Sequence, residues 1–192
     1  MKTTSTLEEV PAGCRIFLDA GVFIYHFCRE SGQCRVLLER CERGEVRGVT
    51  SVISVLEATH RLMIAEAVRA GEVTPGGVAR KLRERPEVVR NLTEYRRQVE
   101  SIPQWGVEVL PVDLGRCLRA ADVRAVHGLF TNDSIIVATM RDAGVTAIAT
   151  TDRDFGRVDG IQVFRPTDLA GGSSALASGP PRVVLSNFAE RE

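Results

Sequence analysis

Two aspartates stand one residue apart in the stretch AIATTDRDF, directly after a short apolar run that begins at Ala147. They are Asp152 and Asp154, and Thr150 precedes them. Carboxylates held at the tip of a buried strand repel each other and lose hydration, so such a site needs a cation or a network of hydrogen bonds. Other acids that end or interrupt apolar runs are therefore candidates for the same site.

Three further acids fit this description. Asp19 follows the apolar run of residues 16–18, Glu57 interrupts the segment SVISVLEATHRL, and Asp133 lies near the start of TNDSIIVATMRDAG. Acids that serve only solubility would be scattered over exposed helical faces among basic partners. Hard divalent cations choose oxygen ligands, so clustering of these acids would favour hydrolysis of a phosphodiester by a metal-activated water.

The elements that must position these acids alternate between strands and helices. Apolar runs predict strands in CRIFL, VRGVTS, VEVLPV, TAIAT and IQVFRP, and helical spacing of apolar residues marks most of the segments between them. Such alternation indicates crossover connections, so we predict an α/β fold, a three-layer α/β/α sandwich with a central, mainly parallel sheet. Since ligands bind at the carboxyl ends of such strands, the acids are expected to converge there.

Local signals predict where several helices begin and end. Ser51 is the expected N-cap of the helix that contains Glu57, and Gly71 is its expected end. Pro75 and the glycine after it are expected to begin a second helical stretch, which Pro86 is expected to break.

Composition limits the class of protein. The 192 residues are 44% hydrophobic and 26% charged, which suits one soluble globular domain. The formal net charge is zero, so any contact with nucleic acid must come from a local patch. The five cysteines are odd in number and form no CxxC pair, which indicates neither a disulfide framework nor a zinc ribbon.

The chain's location and boundaries are also expectations at this point. No apolar run approaches the roughly 20 residues needed to span a bilayer, so no membrane partner is expected and the protein is expected to be cytoplasmic. The composition of residues 169–192, with AGGSSALASGPP, predicts a flexible tail rich in Gly, Ser and Pro. Residues 14–168 would then form the folded domain.

The motifs IFLDAGVFIYHF, SVISVLEATHRL, TNDSIIVATMRDAG and AIATTDRDF, in this order, resemble those of PIN-domain ribonucleases. The resemblance is greatest to the VapC-type toxins of bacterial type II toxin–antitoxin pairs, and it covers roughly residues 14–168. It implies that Mg²⁺ or Mn²⁺ binds to Asp19, Glu57, Asp133 and Asp152. It further implies that Thr150 orients water or a carboxylate and that Asp154 is an accessory catalytic acid.

The resemblance also implies a substrate and partners. The substrate would be RNA, cut by an endoribonuclease that leaves a 5′-phosphate and a 3′-hydroxyl. The partners would be a second copy in a homodimer and a small antitoxin, a segment of which would fill the acidic groove. The chain departs from the family pattern at two places: Gly21 stands where Asn or Ser is common, and the region of residues 72–105 is longer than in compact toxins.

Other interpretations of the same residues stay open. Asp19, Asp133 and Asp152 are also suited to helix caps or turns, Glu57 to an i,i+4 ion pair with Arg61, and Asp154 to a pair with Arg153 or Arg157. The arginine-rich residues 79–98 suit either a solvated helical face or phosphate contacts. His26, His60 and His127 are expected to be structural or solvent-facing.

Two further functions compete with the toxin hypothesis. The chain could be a PIN-like interaction module without catalysis, an interpretation that Gly21 favours, or a PIN nuclease of RNA processing unrelated to a toxin. A phosphatase or receiver site is disfavoured, because neither Lys2 nor Lys81 is suitably placed and position 21 is not an aspartate.

Overall fold

Six strands form one sheet in the computed structural model of the protein, which describes residues 5–169. The strands are β1 (Ser5–Thr6), β2 (Arg15–Leu18), β3 (Arg47–Ser51), β4 (Glu108–Leu110), β5 (Ala147–Ala149) and β6 (Gln162–Arg165). Their order is β1-β6-β5-β2-β3-β4, and every pair is parallel. The predicted parallel sheet is confirmed, while the predicted tail lies outside the described residues from Ala170 onward.

Helices occupy most of the chain between the strands. They are α1 (Ala20–Phe27), α2 (Gly32–Glu42), α3 (Val52–Arg69), α4 (Val78–Glu84), α5 (Pro86–Asn91), α6 (Glu94–Glu100), α7 (Leu114–His127) and α8 (Thr131–Asp142). Short 3₁₀ turns span Leu7–Glu9, Ile102–Trp105 and Asp154–Arg157. No helix of residues 5–169 is long and apolar enough to cross a bilayer.

Alternation of side chains along β2 divides the core into two layers. Ile16 and Leu18 belong to the cluster shared with α1 and α2, whereas Phe17 packs with α7 and α8 on the other face. All three side chains are fully buried, as expected for a central strand covered on both faces. These two clusters confirm the predicted three-layer α/β/α sandwich.

Several boundaries differ from the sequence expectations. Ser51 is at the N-cap of α3, but its side chain makes no capping hydrogen bond. The second helical stretch begins at Val78 rather than at Pro75. Its predicted break at Pro86 is confirmed, since α4 ends at Glu84 and Pro86 begins α5, where its ring is compatible with the first turn of a helix. The sheet also gains β1, which lies ahead of residue 14 and is too short for a periodic signal.

Helices α4, α5 and α6 pack on the distal half of α3 rather than on the sheet. A third apolar cluster, which includes Ile64, Leu82, Val88 and Leu92, holds α4 and α5 against it. We call α4, α5 and α6 the helical extension of α3, and they occupy most of residues 72–105.

A single carboxylate on α3 fixes the start of α6. Glu66 accepts hydrogen bonds from the backbone N–H groups of Thr93, Glu94 and Tyr95 at 2.8, 3.0 and 2.8 Å. Partial burial tends to raise the pKa of Glu66, but the three donors outweigh it and hold that pKa below its usual value. Glu66 thus replaces a local N-cap, since Thr93 makes no capping bond with its own side chain.

Replacing Glu66 by glutamine is expected to reduce the free energy of unfolding by about 1–3 kcal/mol at pH 7, because charge-assisted bonds to three donors are weakened. The pKa of Glu66 is lower in the folded state, so its contribution is present above the unfolded value of about 4.5 and is lost as pH falls below it. Denaturant titrations of both proteins at pH 7 and pH 3 measure the effect.

Glu87→Gln is the matched control, since Glu87 forms a surface ion pair with Arg85 at 3.3 Å. Its effect should stay below about 0.5 kcal/mol. Equal losses for the two variants would contradict the role assigned to Glu66.

Candidate active site

The candidate site lies where the strand order reverses direction. From β2 the chain continues to β3 on one side, while β5 pairs with β2 on the other, so the carboxyl ends of β2 and β5 border a topological switch point. Asp19 is the first residue after β2 and caps α1, with its Oδ1 accepting the Ala20 N–H at 2.8 Å. Its backbone N–H still donates to the Ala149 carbonyl at 3.0 Å, as a continuation of the sheet.

Thr150 connects the ends of the two strands. Its buried hydroxyl donates to Asp19 Oδ2 at 2.6 Å and accepts the Asp152 N–H at 3.0 Å. Asp152 Oδ1 in turn accepts the Asp154 N–H at 2.8 Å, which tightens the turn after β5. One threonine therefore sets the position of both the first and the last acid of the predicted cluster.

The other two acids reach the same place from helices. Glu57 lies in the second turn of α3 and Asp133 in the first turn of α8, and both residues are half-buried. Together with Asp19 and Asp152 they line one pocket of about 250 Å³. The structure thus brings four predicted metal-binding carboxylates from four separate segments to a single cavity.

The electrostatics of this pocket are those of crowded like charges. Burial first, and then the charges of Glu57 and Asp133, raise the pKa of Asp19 from 3.8 to about 7, although the Thr150 and Ala20 hydrogen bonds oppose the shift. Burial, followed by the charges of Asp152, Glu57 and Asp154, raises the pKa of Asp133 to about 6. Full ionisation of the cluster at neutral pH is therefore unfavourable, and a cation bound among the four carboxylates would favour it.

Asp154 is the predicted site residue that stands apart. Its carboxylate forms an ion pair with Arg157 at 2.8 Å, in a 3₁₀ turn, and it does not line the pocket. Its charge nevertheless acts on Asp133 from outside. Asp154 therefore forms the local ion pair with Arg157 that was one of its alternative interpretations.

Three polar residues of the pocket were not in the sequence prediction as site residues: Tyr25, Arg61 and Thr151. A Cβ on Gly21 would lie 3.1 Å from Thr151 Oγ1, so the Thr151 side chain occupies the space beside this glycine. The signal available in the sequence was the pair of threonines before Asp152. No such signal marks Tyr25, because its position in the pocket depends on how α1 packs against α3.

The structure also places the remaining candidates. Asp19 does cap a helix, as the alternative interpretation supposed, and faces the pocket as well. Asp133 is not the N-cap of α8, since that position is Phe130. His60 is exposed, while the His127 ring lies 3.0 Å from Arg141 Nη2, so neither is in the pocket.

A divalent cation such as Mg²⁺ needs several oxygen ligands close to it. In residues 5–169 no group of three or more His, Cys, Asp or Glu side chains is already close enough to hold a metal ion. Four carboxylates nevertheless share the pocket, and oxygen ligands of this kind are the ones that Mg²⁺ and Mn²⁺ select. The residues have the chemistry that such an ion needs, and side-chain movements would have to bring their oxygens together.

Comparisons with known proteins identify the fold and the family. No curated protein matches the sequence. Among solved structures, VapBC2 from Rickettsia felis, bound to a DNA fragment from its promoter, is 11% identical with a TM-score of 0.52, and covers 79% of this chain and 98% of its own. DNA-bound VapBC from Salmonella typhimurium is 16% identical with a TM-score of 0.50, over 79% and 98% of the two chains.

These similarities in structure concern the fold. The family model described as PIN domain matches residues 16–161, a range that begins in β2, ends just before β6 and includes all four pocket acids. This range is most of the chain, and the protein therefore belongs to the PIN domain family.

Proposed function

We propose that the protein is a metal-dependent endoribonuclease that hydrolyses RNA phosphodiester bonds and acts as the toxin of a toxin–antitoxin pair. The observation that carries this proposal is the convergence of Asp19, Glu57, Asp133 and Asp152 on one pocket at the carboxyl edge of a parallel sheet. Family membership supports the nuclease activity, and the toxin–antitoxin neighbours support the biological setting.

In this proposal Asp19, Glu57, Asp133 and Asp152 hold Mg²⁺ or Mn²⁺. A bound ion would supply a Lewis acid that lowers the pKa of water and neutralises charge on the phosphate. Thr150 keeps Asp19 and the backbone of Asp152 in fixed relation through its two hydrogen bonds. Tyr25 and Arg61 border the pocket, and in this proposal they contact an entering phosphate.

Part of the proposal concerns protein partners. A toxin needs an inhibitor, and a pocket lined by four carboxylates is complementary to a basic side chain of an antitoxin segment. The VapBC structures with which the chain shares its fold are toxin–antitoxin complexes bound to DNA. We accordingly propose an antitoxin that covers the acidic pocket of this protein.

A second copy is the other proposed partner, and α7 offers the surface for it. Leu114, Leu118 and Val126 are 74%, 66% and 74% exposed, and Phe130, just beyond the helix, is 81% exposed. Spacings of four and eight residues place the three helical side chains on one side of α7. An apolar surface of this kind favours a symmetric contact between two copies.

The principal alternative is an interaction module without catalysis. It drew support from Gly21, where a polar side chain was expected near the first acid. The Thr151 hydroxyl lies beside that glycine, which weakens this support. A nuclease of RNA processing would use the same pocket, and the presence or absence of an antitoxin distinguishes it from a toxin.

Replacing Asp133 by asparagine is expected to reduce RNA cleavage at least about 100-fold, because it removes a charge that the metal site needs. The assay follows a labelled mixed-sequence RNA with Mg²⁺ or Mn²⁺, and EDTA should abolish the reaction of the unchanged protein. Asp142→Asn is the matched control, since Asp142 lies on the same helix and pairs with Arg119 at 2.6 Å outside the pocket. Undiminished cleavage by Asp133→Asn would sink the proposed active site.

Replacing Asp19 by asparagine is expected to stabilise the protein at pH 8 in EDTA by roughly 2–4 kcal/mol. Each unit by which the folded-state pKa exceeds the unfolded value corresponds to about 1.4 kcal/mol, and the opening of the pocket to solvent reduces the total. The folded-state pKa of about 7 exceeds the unfolded value of 3.8. The stability of the unchanged protein should therefore fall as pH rises from about 4 to 7, and the gain from the variant should vanish near pH 4.

The measurement is chemical denaturation across this pH range, repeated with Mg²⁺ or Mn²⁺. A cation bound only by the folded state stabilises the unchanged protein by mass action, and this stabilisation should be lost in Asp19→Asn. Identical pH profiles for the two proteins would contradict the assignment of a crowded, repulsive pocket.

Replacing Leu118 by glutamate is expected to convert a dimer into a monomer, because it places a charge at the centre of an apolar contact on both copies. Light scattering during gel filtration gives the mass, which should halve. Val36→Glu, on the outer face of α2, is the control at a 41% exposed position and should leave the mass unchanged. A monomeric unchanged protein at micromolar concentration would refute this interface.

A further inference from the structure

A second and larger cavity, of about 650 Å³, lies at the distal ends of α1 and α3. Its walls include Arg29, Arg35 and Arg69 together with His26, Phe27 and Gln98. We call it the arginine cavity. Its size is in the range that accommodates one small organic ligand such as a nucleotide.

Positive charge dominates the arginine cavity. Glu94 is the one acidic residue among the described residues that line it, and it lies 3.4 Å from Arg69. Arg35 pairs with Glu39 at 2.8 Å, whereas the guanidinium of Arg29 has no ion pair or side-chain hydrogen bond within residues 5–169. An unpaired guanidinium beside two others is suited to a phosphate, which it can bind through two parallel hydrogen bonds.

Two polar atoms of the same walls are also unsatisfied. His26 Nδ1 and Gln98 Oε1 are buried and have no hydrogen-bond partner within the described part of the chain, although Gln98 Nε2 donates to Glu94 at 2.9 Å. Leaving such atoms unpaired is unfavourable, so a ligand toward which these side chains turn, and which pairs with them, gains affinity. Burial lowers the pKa of His26 against the opposing charge of Glu39, so the ring is neutral at pH 7.

Aromatic rings complete the cavity. The His26 ring contacts the rings of Phe27 and Trp105 edge to face, each with centroids 4.8 Å apart. These contacts fix the orientation of the imidazole. A planar base with its own donors and acceptors matches a wall that combines ring surfaces with two unpaired polar atoms.

The arginine cavity and the acidic pocket lie along the same two helices. The first turns of α1 line the acidic pocket and its last turn lines the arginine cavity. On α3, Arg61 belongs to the pocket and Arg69 to the cavity, which at 1.5 Å per residue is a separation of about 12 Å. A few nucleotides of single-stranded RNA could bridge this distance.

We propose that the arginine cavity binds a nucleotide of the RNA substrate a few positions from the cleaved bond, with Arg29 on its phosphate and with His26 and Gln98 against its base. This inference rests on the proposed function. The acidic pocket cuts wherever a phosphodiester enters, and the arginine cavity selects which sequence is held there. It also supplies the local positive patch that a chain with zero net charge needs in order to hold RNA.

The test uses two variants with separate readouts. Arg29→Gln should weaken binding of a labelled single-stranded RNA in EDTA by about five- to tenfold, and should reduce the slope of log affinity against log salt by about 0.7. Gln98→Met, of similar length, should leave the salt slope unchanged while it alters the preferred base at one fixed distance from the cut. Anisotropy titrations and sequencing of the cleaved ends measure the two effects.

Arg80→Gln is the matched control, because Arg80 is exposed on α4 away from the arginine cavity and loses the same charge. If the unchanged protein cuts RNA while neither variant changes affinity or cut-site preference, the proposed subsite is wrong and the proposed function stands. If the unchanged protein neither binds nor cuts RNA, both fail. If Arg29→Gln reduces only the capture of a co-expressed protein partner, the cavity binds protein, and the nucleotide subsite is excluded.

Discussion

The pairing of β2 with β5 is the constraint on which the candidate site depends. Leu18 lies opposite Ala149 in this ladder, so the next residues, Asp19 and Thr150, are neighbours by geometry alone. The 2.6 Å hydrogen bond between them then fixes the carboxylate, and the full burial of Phe17 and Ile148 makes a slip in register costly. The acidic pocket is thus a consequence of strand register, and the helices α3 and α8 only add their acids to it.

The crowded carboxylates of the acidic pocket destabilise the folded protein when they are ionised. A pKa of about 7 for Asp19 and about 6 for Asp133 means that the folded state resists ionisation of these carboxyls. Hydrogen bonds from Thr150 and Ala20 reduce the cost at Asp19 but do not remove it. The apolar clusters on both faces of the sheet stabilise the fold, and the repulsion between carboxylates is confined to the edge where the strands end.

Much of the fold follows from the sequence because buried parallel strands are short apolar runs that end at polar residues. That pattern predicted β2 and β5 and placed Asp19 and Asp152 at one edge. The pattern could not give β1, whose two residues carry no period, or the split of α5 from α6. Tyr25, Arg61 and Thr151 were missed for a related reason, since their place in the pocket depends on how helices pack rather than on any local motif.

The helical extension of α3 forms part of the arginine cavity. Glu66 holds the start of α6 through three backbone N–H groups, and α6 then presents Glu94 and Gln98 to the arginine cavity. The region of residues 72–105 therefore builds one wall of the second cavity. Residues of α6 line the arginine cavity but not the acidic pocket. A change in the packing of α6 on α3 would therefore alter the arginine cavity, while the register of β2 and β5 would preserve the acidic pocket.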